Sequence, residues 1–198
     1  ALMLEQSRKE SASTSAYIAK NMDLYEKAKN SLPYTLTEDQ QKTIDSAIEI
    51  LQSGRRLNGL VQGDVSCGKS IVSYLLAAIV VGNGYQAAIM APTQVLAKQH
   101  YLDVSALLEP LGVRVAYYGG TDMHTSERKA MLSEIKNGTI QIVIGTHSLI
   151  SKDVEYNDLA LTVVDEEHKF GVIQREALIQ KAASGVHSIT MSATPIPR

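Results

Sequence analysis

The strongest constraint on the fold is a run of eight residues with the spacing of a phosphate-binding loop: Gly63, Asp64, Val65, Ser66, Cys67, Gly68, Lys69 and Ser70. It lies between an apolar run at 57–62 and an amphipathic stretch at 69–82, which is the strand–loop–helix context that such a loop requires. There, backbone N–H groups surround nucleotide phosphates, Lys69 places its charge on the β and γ groups, and the Ser70 hydroxyl reaches Mg²⁺. By chance the spacing occurs in roughly one such chain in a hundred. We therefore predict that the chain binds ATP and Mg²⁺.

Beyond residue 57, short apolar runs alternate with amphipathic stretches of helical length. This alternation is typical of an α/β fold with a mostly parallel sheet and helices on both faces. The predicted strands are 57–62, 87–91, 113–117, 140–144, 159–164 and 188–191, and the predicted helices are 69–82, 93–108, 125–137 and 172–183. Thr37 begins a capping box, and Gly112, Gly138 and Gly185 stand where helices need a left-handed residue at their ends.

The first 32 residues differ from the rest because they are rich in Ser, Lys and Glu. Their apolar residues, such as Tyr17, Met22 and Tyr25, are spaced loosely like one face of a helix. We therefore predict a helical linker at 1–32 and an ATP-binding domain at 33–198. Because the chain starts at Ala1 and ends at Arg198 inside a motif, we expect a fragment that is truncated at its C-terminal end.

Composition excludes several classes of protein. The formal charge of −2 gives no global attraction to nucleic acid, so a phosphate backbone would have to be contacted by a local patch or by another domain. The single cysteine, Cys67, excludes an internal disulfide framework and a cysteine-based zinc site. No apolar run is long and uninterrupted enough to cross a bilayer, so we expect a cytoplasmic location and no membrane partner.

A second catalytic pattern lies at 161–168, where a buried strand ends in acidic residues. In an open parallel sheet, ligands bind at this end of the strands. Asp165 would hold the metal, and Glu166 would orient and deprotonate the attacking water. The alternative is a solvated acidic cap on the following helix.

The run Asp165, Glu166, Glu167 and His168 resembles motif II of the superfamily 2 helicases. Residues 91–97, 145–147 and 192–195 resemble motifs Ia, Ib and III of the same superfamily, in the expected order. Residues 32–198 are most similar to the RecG family of branch-migration helicases, through 32–37, 60–65, 168–172 and 195–198. The transcription-repair coupling translocases share 170–172 and 194–198 and remain an alternative, although 108–112 and 174–178 favour RecG. The resemblance implies a RecA-like P-loop NTPase domain.

The resemblance also implies roles for single residues. Gln40 would read adenine, since an amide offers both a donor and an acceptor; the alternative is a solvent-facing helix residue. His168 would couple hydrolysis to motif III, with an interior structural histidine as the alternative. Ser192 and Thr194 would transmit the state of the γ-phosphate, unless they only form a turn before Pro195.

Contacts to a DNA backbone would come from Thr93, Gly145, Thr146 and His147, because hydroxyls and N–H groups at strand ends bond phosphates without reading sequence. For Thr93 the alternative is a plain helix N-cap. The chain departs from the family at Ser66 and Cys67, where Gly and Ser are usual, so the loop is expected to be strained if that position needs a positive φ.

The resemblance implies an ATP-dependent DNA helicase motor that remodels replication forks and recombination junctions, and so serves DNA repair and recombination. Its expected partners are branched DNA, a second RecA-like domain that supplies arginine fingers, and a wedge domain. A nucleotide-gated DNA-binding module without motor activity is the competing hypothesis. Because an arginine from outside dominates the rate, we expect this chain alone to bind ATP but to hydrolyse it slowly.

Overall fold

Seven strands form one sheet in the computed structural model, which describes residues 2–6, 15–63, 68–165, 172–183 and 185–193. The strands are β1 (Met3–Gln6), β2 (Asn58–Gln62), β3 (Gln86–Met90), β4 (Val115–Tyr118), β5 (Ile142–Gly145), β6 (Leu159–Asp165) and β7 (His187–Ser192). Their order across the sheet is β1-β2-β7-β6-β3-β5-β4. β1 is antiparallel to β2, and every other pairing is parallel.

Within the described residues, six helices accompany these strands: α1 (Asp23–Asn30), α2 (Glu38–Ser53), α3 (Lys69–Gly82), α4 (Gln94–Leu108), α5 (Thr125–Lys136) and α6 (Val172–Ile179). Short 3-10 helices occur at Glu109–Leu111 and His147–Ile150. The α/β prediction is confirmed, and each strand and helix predicted at or beyond residue 57 is present, although α6 ends earlier than expected. The capping box at Thr37 is also present, and Gly112, Gly138 and Gly185 have positive φ angles.

The interior strand β3 shows why the sheet is covered on both faces. Successive side chains of a strand point to opposite faces, so a strand without polar alternation must be buried on both. Ala87 and Ile89 pack into one hydrophobic cluster with α3 and α4. Ala88 and Met90 pack into a second cluster that includes Ile135 of α5 and Leu178 of α6. All five residues of β3 are buried as a result.

The N-terminal segment is not the continuous helical linker that the sequence predicted. Among the described residues of this segment, Met3–Gln6 is a strand, 15–22 are not helical, and Asp23–Asn30 is a helix. Strand pairing explains the difference: β1 adds to the free edge of β2, where the Gln6 side chain donates to the Arg56 carbonyl at 2.8 Å and accepts from the Asn58 N–H at 3.1 Å. Whether a domain boundary lies near residue 33 stays a prediction.

Candidate nucleotide and metal site

The carboxyl ends of β2, β7 and β6 lie side by side and bring three of the predicted motifs together. In the parallel register Gln62 pairs with Ser192, and Met191 pairs with Asp165. The Gly63 N–H then donates to the Ser192 carbonyl at 3.3 Å. The start of the phosphate loop, the start of motif III and the predicted metal carboxylate therefore share one edge of the sheet, which is where α/β proteins bind ligands.

The described part of the phosphate loop is held by its own residues. Gly68 has a left-handed backbone (φ 74°) immediately before α3. The Lys69 ammonium donates to the Gly63 carbonyl at 2.8 Å. This bond joins the two ends of the loop and places the lysine charge between them. Residues 64–67 lie outside the described residues, and the prediction of strain at Ser66 remains a prediction.

Gln40 is buried and contacts the loop, so the solvent-facing alternative is wrong. Its side chain is 6% exposed and accepts from the Thr37 N–H at 2.9 Å, which completes the capping box of α2. Its amide Nε2 also donates to the Gly68 carbonyl at 3.3 Å. Helix capping therefore places this amide at the edge of the phosphate loop, and adenine reading stays a prediction.

A cavity of about 1100 Å³ opens beside Gln40 and Gly68. Pro33, Tyr34 and Leu107 on α4 are among the residues that line it. Its lining is mainly apolar with a few polar groups, which is the usual character of a small-molecule site. The cavity is continuous with Ser70, so a nucleoside bound there would be adjacent to the phosphate loop.

The predicted metal residues are joined by hydrogen bonds through two side chains that sequence reasoning did not single out. Asp165 Oδ2 lies 2.8 Å from His100 Nε2, and His100 Nδ1 lies 2.6 Å from the Tyr74 hydroxyl. The Ser70 side chain, four residues before Tyr74 on α3, is close enough to the Tyr74 hydroxyl to lower its pKa as a hydrogen-bond donor. We call Ser70, Tyr74, His100 and Asp165 the polar network.

Burial keeps the Tyr74 hydroxyl of the polar network protonated. Desolvation raises the pKa of Tyr74, and the nearby Asp103 and Asp165 carboxylates raise it further, while the hydrogen bond with Ser70 lowers it. Tyr74 is 4% exposed and His100 is 5% exposed. The tyrosine therefore keeps its proton at physiological pH, and its hydroxyl remains a hydrogen-bond donor.

A sequence signal for both residues exists. His100 is a polar residue in the apolar stripe of α4, three residues after Ala97 and four before Val104, and all three are buried. Tyr74 follows Ser70 by four residues on α3, so the two side chains share one face of that helix. A buried polar group needs a partner. The partner of His100 is Asp165, which lies 65 residues further along the chain. The spacing of residues within one helix cannot reveal such a long-range contact.

The predicted DNA contacts come together at a neighbouring part of the same edge, after β3 and β5. Met90 pairs with Gly145, and the Ala91 N–H donates to the Gly145 carbonyl at 2.9 Å. Thr93 is exposed, and its hydroxyl accepts from the Leu96 N–H at 3.2 Å, so the helix N-cap weighed as its alternative is present. Thr146 is buried, whereas His147 is exposed.

The remaining predicted site residues are Ser192, Glu166, His168 and Thr194. Ser192 is buried at the end of β7. Glu166, His168 and Thr194 lie outside the described residues. In the part of the chain that the structure describes, no three or more His, Cys, Asp and Glu side chains cluster as a metal site, and no helix has the length and apolarity to span a bilayer.

Comparison with known proteins gives consistent matches. A family model described as DEAD/DEAH box helicase matches residues 37–198. The chain is 43% identical over 176 residues to the ATP-dependent DNA helicase RecG of Borreliella burgdorferi, covering 89% of this chain and 25% of that protein. It is also 43% identical over 173 residues to RecG of Aquifex aeolicus, covering 87% and 22%. The chain thus spans about a quarter of the length of these relatives.

Solved structures agree on the fold. A structure of RecG bound to a three-way DNA junction matches with a TM-score of 0.80 and 34% identity, covering 96% of this chain and 25% of that one. The UvsW helicase from bacteriophage T4 matches with a TM-score of 0.62 over 86% of this chain and 59% of that one, and at 17% identity it bears on the fold alone. The predicted RecA-like fold is confirmed.

Proposed function

Because the chain belongs to the DEAD/DEAH box helicase family, we propose that it is the ATP-binding motor domain of a RecG-like DNA helicase that acts on branched DNA. The observation that carries this proposal is the meeting of Gly63, Lys69 and Asp165 at one edge of the sheet, beside a cavity large enough for a nucleoside. Similarity to RecG proteins supports this assignment over a transcription-repair coupling translocase.

ATP would bind with its base in the cavity and its phosphates on the loop 63–70. Gln40 would bond the base through its amide, because it already borders both the cavity and Gly68. Lys69 would exchange its bond to the Gly63 carbonyl for the β- and γ-phosphate oxygens, which are stronger acceptors for an ammonium.

Ser70 and Asp165 fit Mg²⁺, since both are oxygen donors and Mg²⁺ is commonly held by one or two protein oxygens together with water and phosphates. When bound, the metal neutralises charge that develops on the phosphates. Glu166, which follows Asp165 directly, would accept a proton from the attacking water. His168, Ser192 and Thr194 would pass the state of the γ-phosphate to the rest of the motor.

DNA would be bound at the adjoining edge by Thr93, Gly145, Thr146 and His147. The position of Thr93 at the N-terminus of α4 supports phosphate binding, because free N–H groups and the helix dipole favour an anion there. Such contacts bind the backbone without reading bases, as a motor that moves along DNA requires.

Lys69→Ala tests the nucleotide site. We expect nucleotide affinity to fall by about tenfold or more, because a charge-assisted bond to phosphate contributes roughly 1.5–3 kcal/mol. Binding of a fluorescent ATP analogue measures the change. Lys129→Ala, which removes an exposed lysine of α5, is the matched control and is expected to bind normally. Equal affinity in both variants would refute ATP binding by this loop.

Displacement of a triplex strand from duplex DNA separates a motor from a nucleotide-gated binding module. We expect the protein that carries this chain at its natural length to displace the strand only with hydrolysable ATP, because translocation consumes it. A protein that binds DNA in response to nucleotide but never displaces the strand would establish the binding-module hypothesis instead.

A further inference from the structure

We propose that Tyr74 and His100 are positioning residues that preorganise the two side chains expected to hold Mg²⁺. The inference rests on the proposed function, since it concerns the same nucleotide site. It starts from the polar network, whose two ends are Ser70 in the phosphate loop and Asp165 at the end of β6. Neither Tyr74 nor His100 belongs to a motif that the resemblance assigned to catalysis.

The geometry of the two inner residues is well defined. The His100 ring makes a bond at each nitrogen, 2.6 Å to the Tyr74 hydroxyl and 2.8 Å to Asp165 Oδ2. The Tyr74 and His100 rings also meet edge to face, with centroids 5.8 Å apart and planes at 86°. Two hydrogen bonds and a ring contact fix the orientation of the imidazole. The His100 ring is therefore a rigid hydrogen-bond partner for the Asp165 carboxylate.

For a neutral His100 ring, one set of bond directions satisfies every group in the polar network. Ser70 donates to the Tyr74 oxygen, Tyr74 donates to His100 Nδ1, and His100 Nε2–H donates to Asp165 Oδ2. The alternative direction would leave the Asp165 carboxylate, which can only accept, facing an imidazole nitrogen without a proton.

These directions are the ones a metal site needs. A serine that binds Mg²⁺ must turn its lone pair to the metal and its proton to an acceptor, and the Tyr74 oxygen is that acceptor. A carboxylate that binds through one oxygen is oriented when its other oxygen accepts a hydrogen bond, and His100 supplies that bond. Partners of this kind commonly change metal affinity 10- to 100-fold when they are removed, on the order of the effect expected here.

The test compares nucleotide affinity with Mg²⁺ and with EDTA in the protein at its natural length, using a fluorescent ADP analogue. The ratio of the two affinities is the metal enhancement. We expect His100→Ala to lower this ratio by about tenfold and to leave the affinity in EDTA unchanged. His100→Gln should recover most of the ratio, because its amide nitrogen can donate to Asp165 from the place of Nε2.

Tyr74→Phe removes only the hydroxyl. It keeps the proposal testable if His100→Ala does not fold. It is expected to lower the metal enhancement several-fold in a protein that still unfolds cooperatively on heating, since Ser70 then loses its acceptor. Tyr101→Phe, on α4 and outside the polar network, is the matched control and should keep the full ratio.

The outcomes separate this inference from the proposed function. If the unsubstituted protein shows no Mg²⁺-dependent nucleotide binding, the proposed function fails. If it does, and His100→Ala and Tyr74→Phe keep the same metal enhancement, the positioning role is refuted. Equal losses with Mg²⁺ and with EDTA would also refute it, because they would reveal a general structural role.

Discussion

Single residues near the loop serve two purposes at once, and Gln40 is the clearest case. Its amide closes the capping box with Thr37 and also donates to the Gly68 carbonyl. Gly68 in turn needs its left-handed backbone, and a Cβ at that position would collide with the Gln40 amide. The start of α2 and the start of α3 therefore pack against each other through the Gln40 side chain, which occupies the space that a Cβ on Gly68 would take.

Gly68→Ala should consequently weaken nucleotide binding as well as stability. The positive φ costs an alanine roughly 1–2 kcal/mol, and the collision must also displace Gln40. Gly84→Ala is the matched control, because Gly84 has a similar φ of 87° with nothing near its Cβ position. We expect chemical denaturation to report a loss in both variants and nucleotide titration to report a loss only in Gly68→Ala. Normal nucleotide binding by Gly68→Ala would contradict this account.

Elements of the sheet are tied together by buried polar side chains as well as by strand pairing. Gln86 at the start of β3 is 3% exposed and satisfies all four of its hydrogen-bonding positions. Its Nε2 donates to the Ile135 and Ile140 carbonyls at 2.9 and 2.8 Å, and its Oε1 accepts from the N–H groups of Asn157 and Asp158 at 2.8 and 2.9 Å. One side chain thus joins β3 to the end of α5 and to the loop before β6.

Gln86→Met is expected to lower the free energy of unfolding by about 3 kcal/mol, because it removes all four hydrogen bonds of a buried side chain. Urea denaturation measures the loss. Gln99→Met, at an exposed position of α4 with one bond to Asp103, should change stability by less than about 0.5 kcal/mol. Similar values for the two variants would show that the Gln86 bonds contribute little.

His187 fastens the N-terminal segment to the sheet in a comparable way. Its Nδ1 accepts from the Leu57 N–H at 3.0 Å, and its Nε2 lies 2.8 Å from the Tyr17 carbonyl and 3.3 Å from the Ser15 hydroxyl. Burial lowers the pKa of His187 below 6.5; the Tyr17 bond raises it and Arg56 lowers it. The folded protein therefore holds this imidazole neutral.

A pH dependence of stability follows from that lowered pKa. Below about pH 6.5 the unfolded chain takes up a proton at His187 that the folded chain does not, so the unfolding free energy falls as pH falls until the folded-state pKa is passed. His187→Gln should remove this contribution, and should cost about 1–3 kcal/mol near pH 8 where the lost hydrogen bonds dominate. Denaturation curves measured from acidic pH to about pH 8 give the unfolding free energy of the unsubstituted protein and of His187→Gln. If the two free energies change with pH in parallel, His187 is not the source of the pH dependence.

At the scale of the whole molecule, one edge of the sheet carries both candidate sites. The nucleotide residues follow β2, β7 and β6, and the candidate DNA residues follow β3 and β5. α4 connects them, because Thr93 stands at its N-terminus and His100 on its buried face contacts Asp165. The chain spans about a quarter of the RecG relatives, so a complete catalytic site is expected to need residues from beyond it.

The isolated chain should therefore bind ATP but turn it over slowly. An arginine supplied by another domain commonly raises the rate of phosphoryl transfer by about 10³–10⁵. Phosphate release by residues 1–198 and by the natural-length protein, each with and without branched DNA, measures the difference. Rapid DNA-stimulated hydrolysis by residues 1–198 that is abolished by Lys69→Ala would overturn this expectation.

The sequence by itself determined the parallel α/β fold, the loop at 63–70 and the acidic strand end at Asp165, because each depends on periodicity or on spacing within one segment. Tertiary structure decided the rest. β1 is a four-residue strand whose pairing with β2 lies far away in sequence, so its own pattern is too short to predict it. The same holds for the bonds from Asp165 to His100 and from His100 to Tyr74, since only the packing of α3, α4 and β6 brings those side chains into contact.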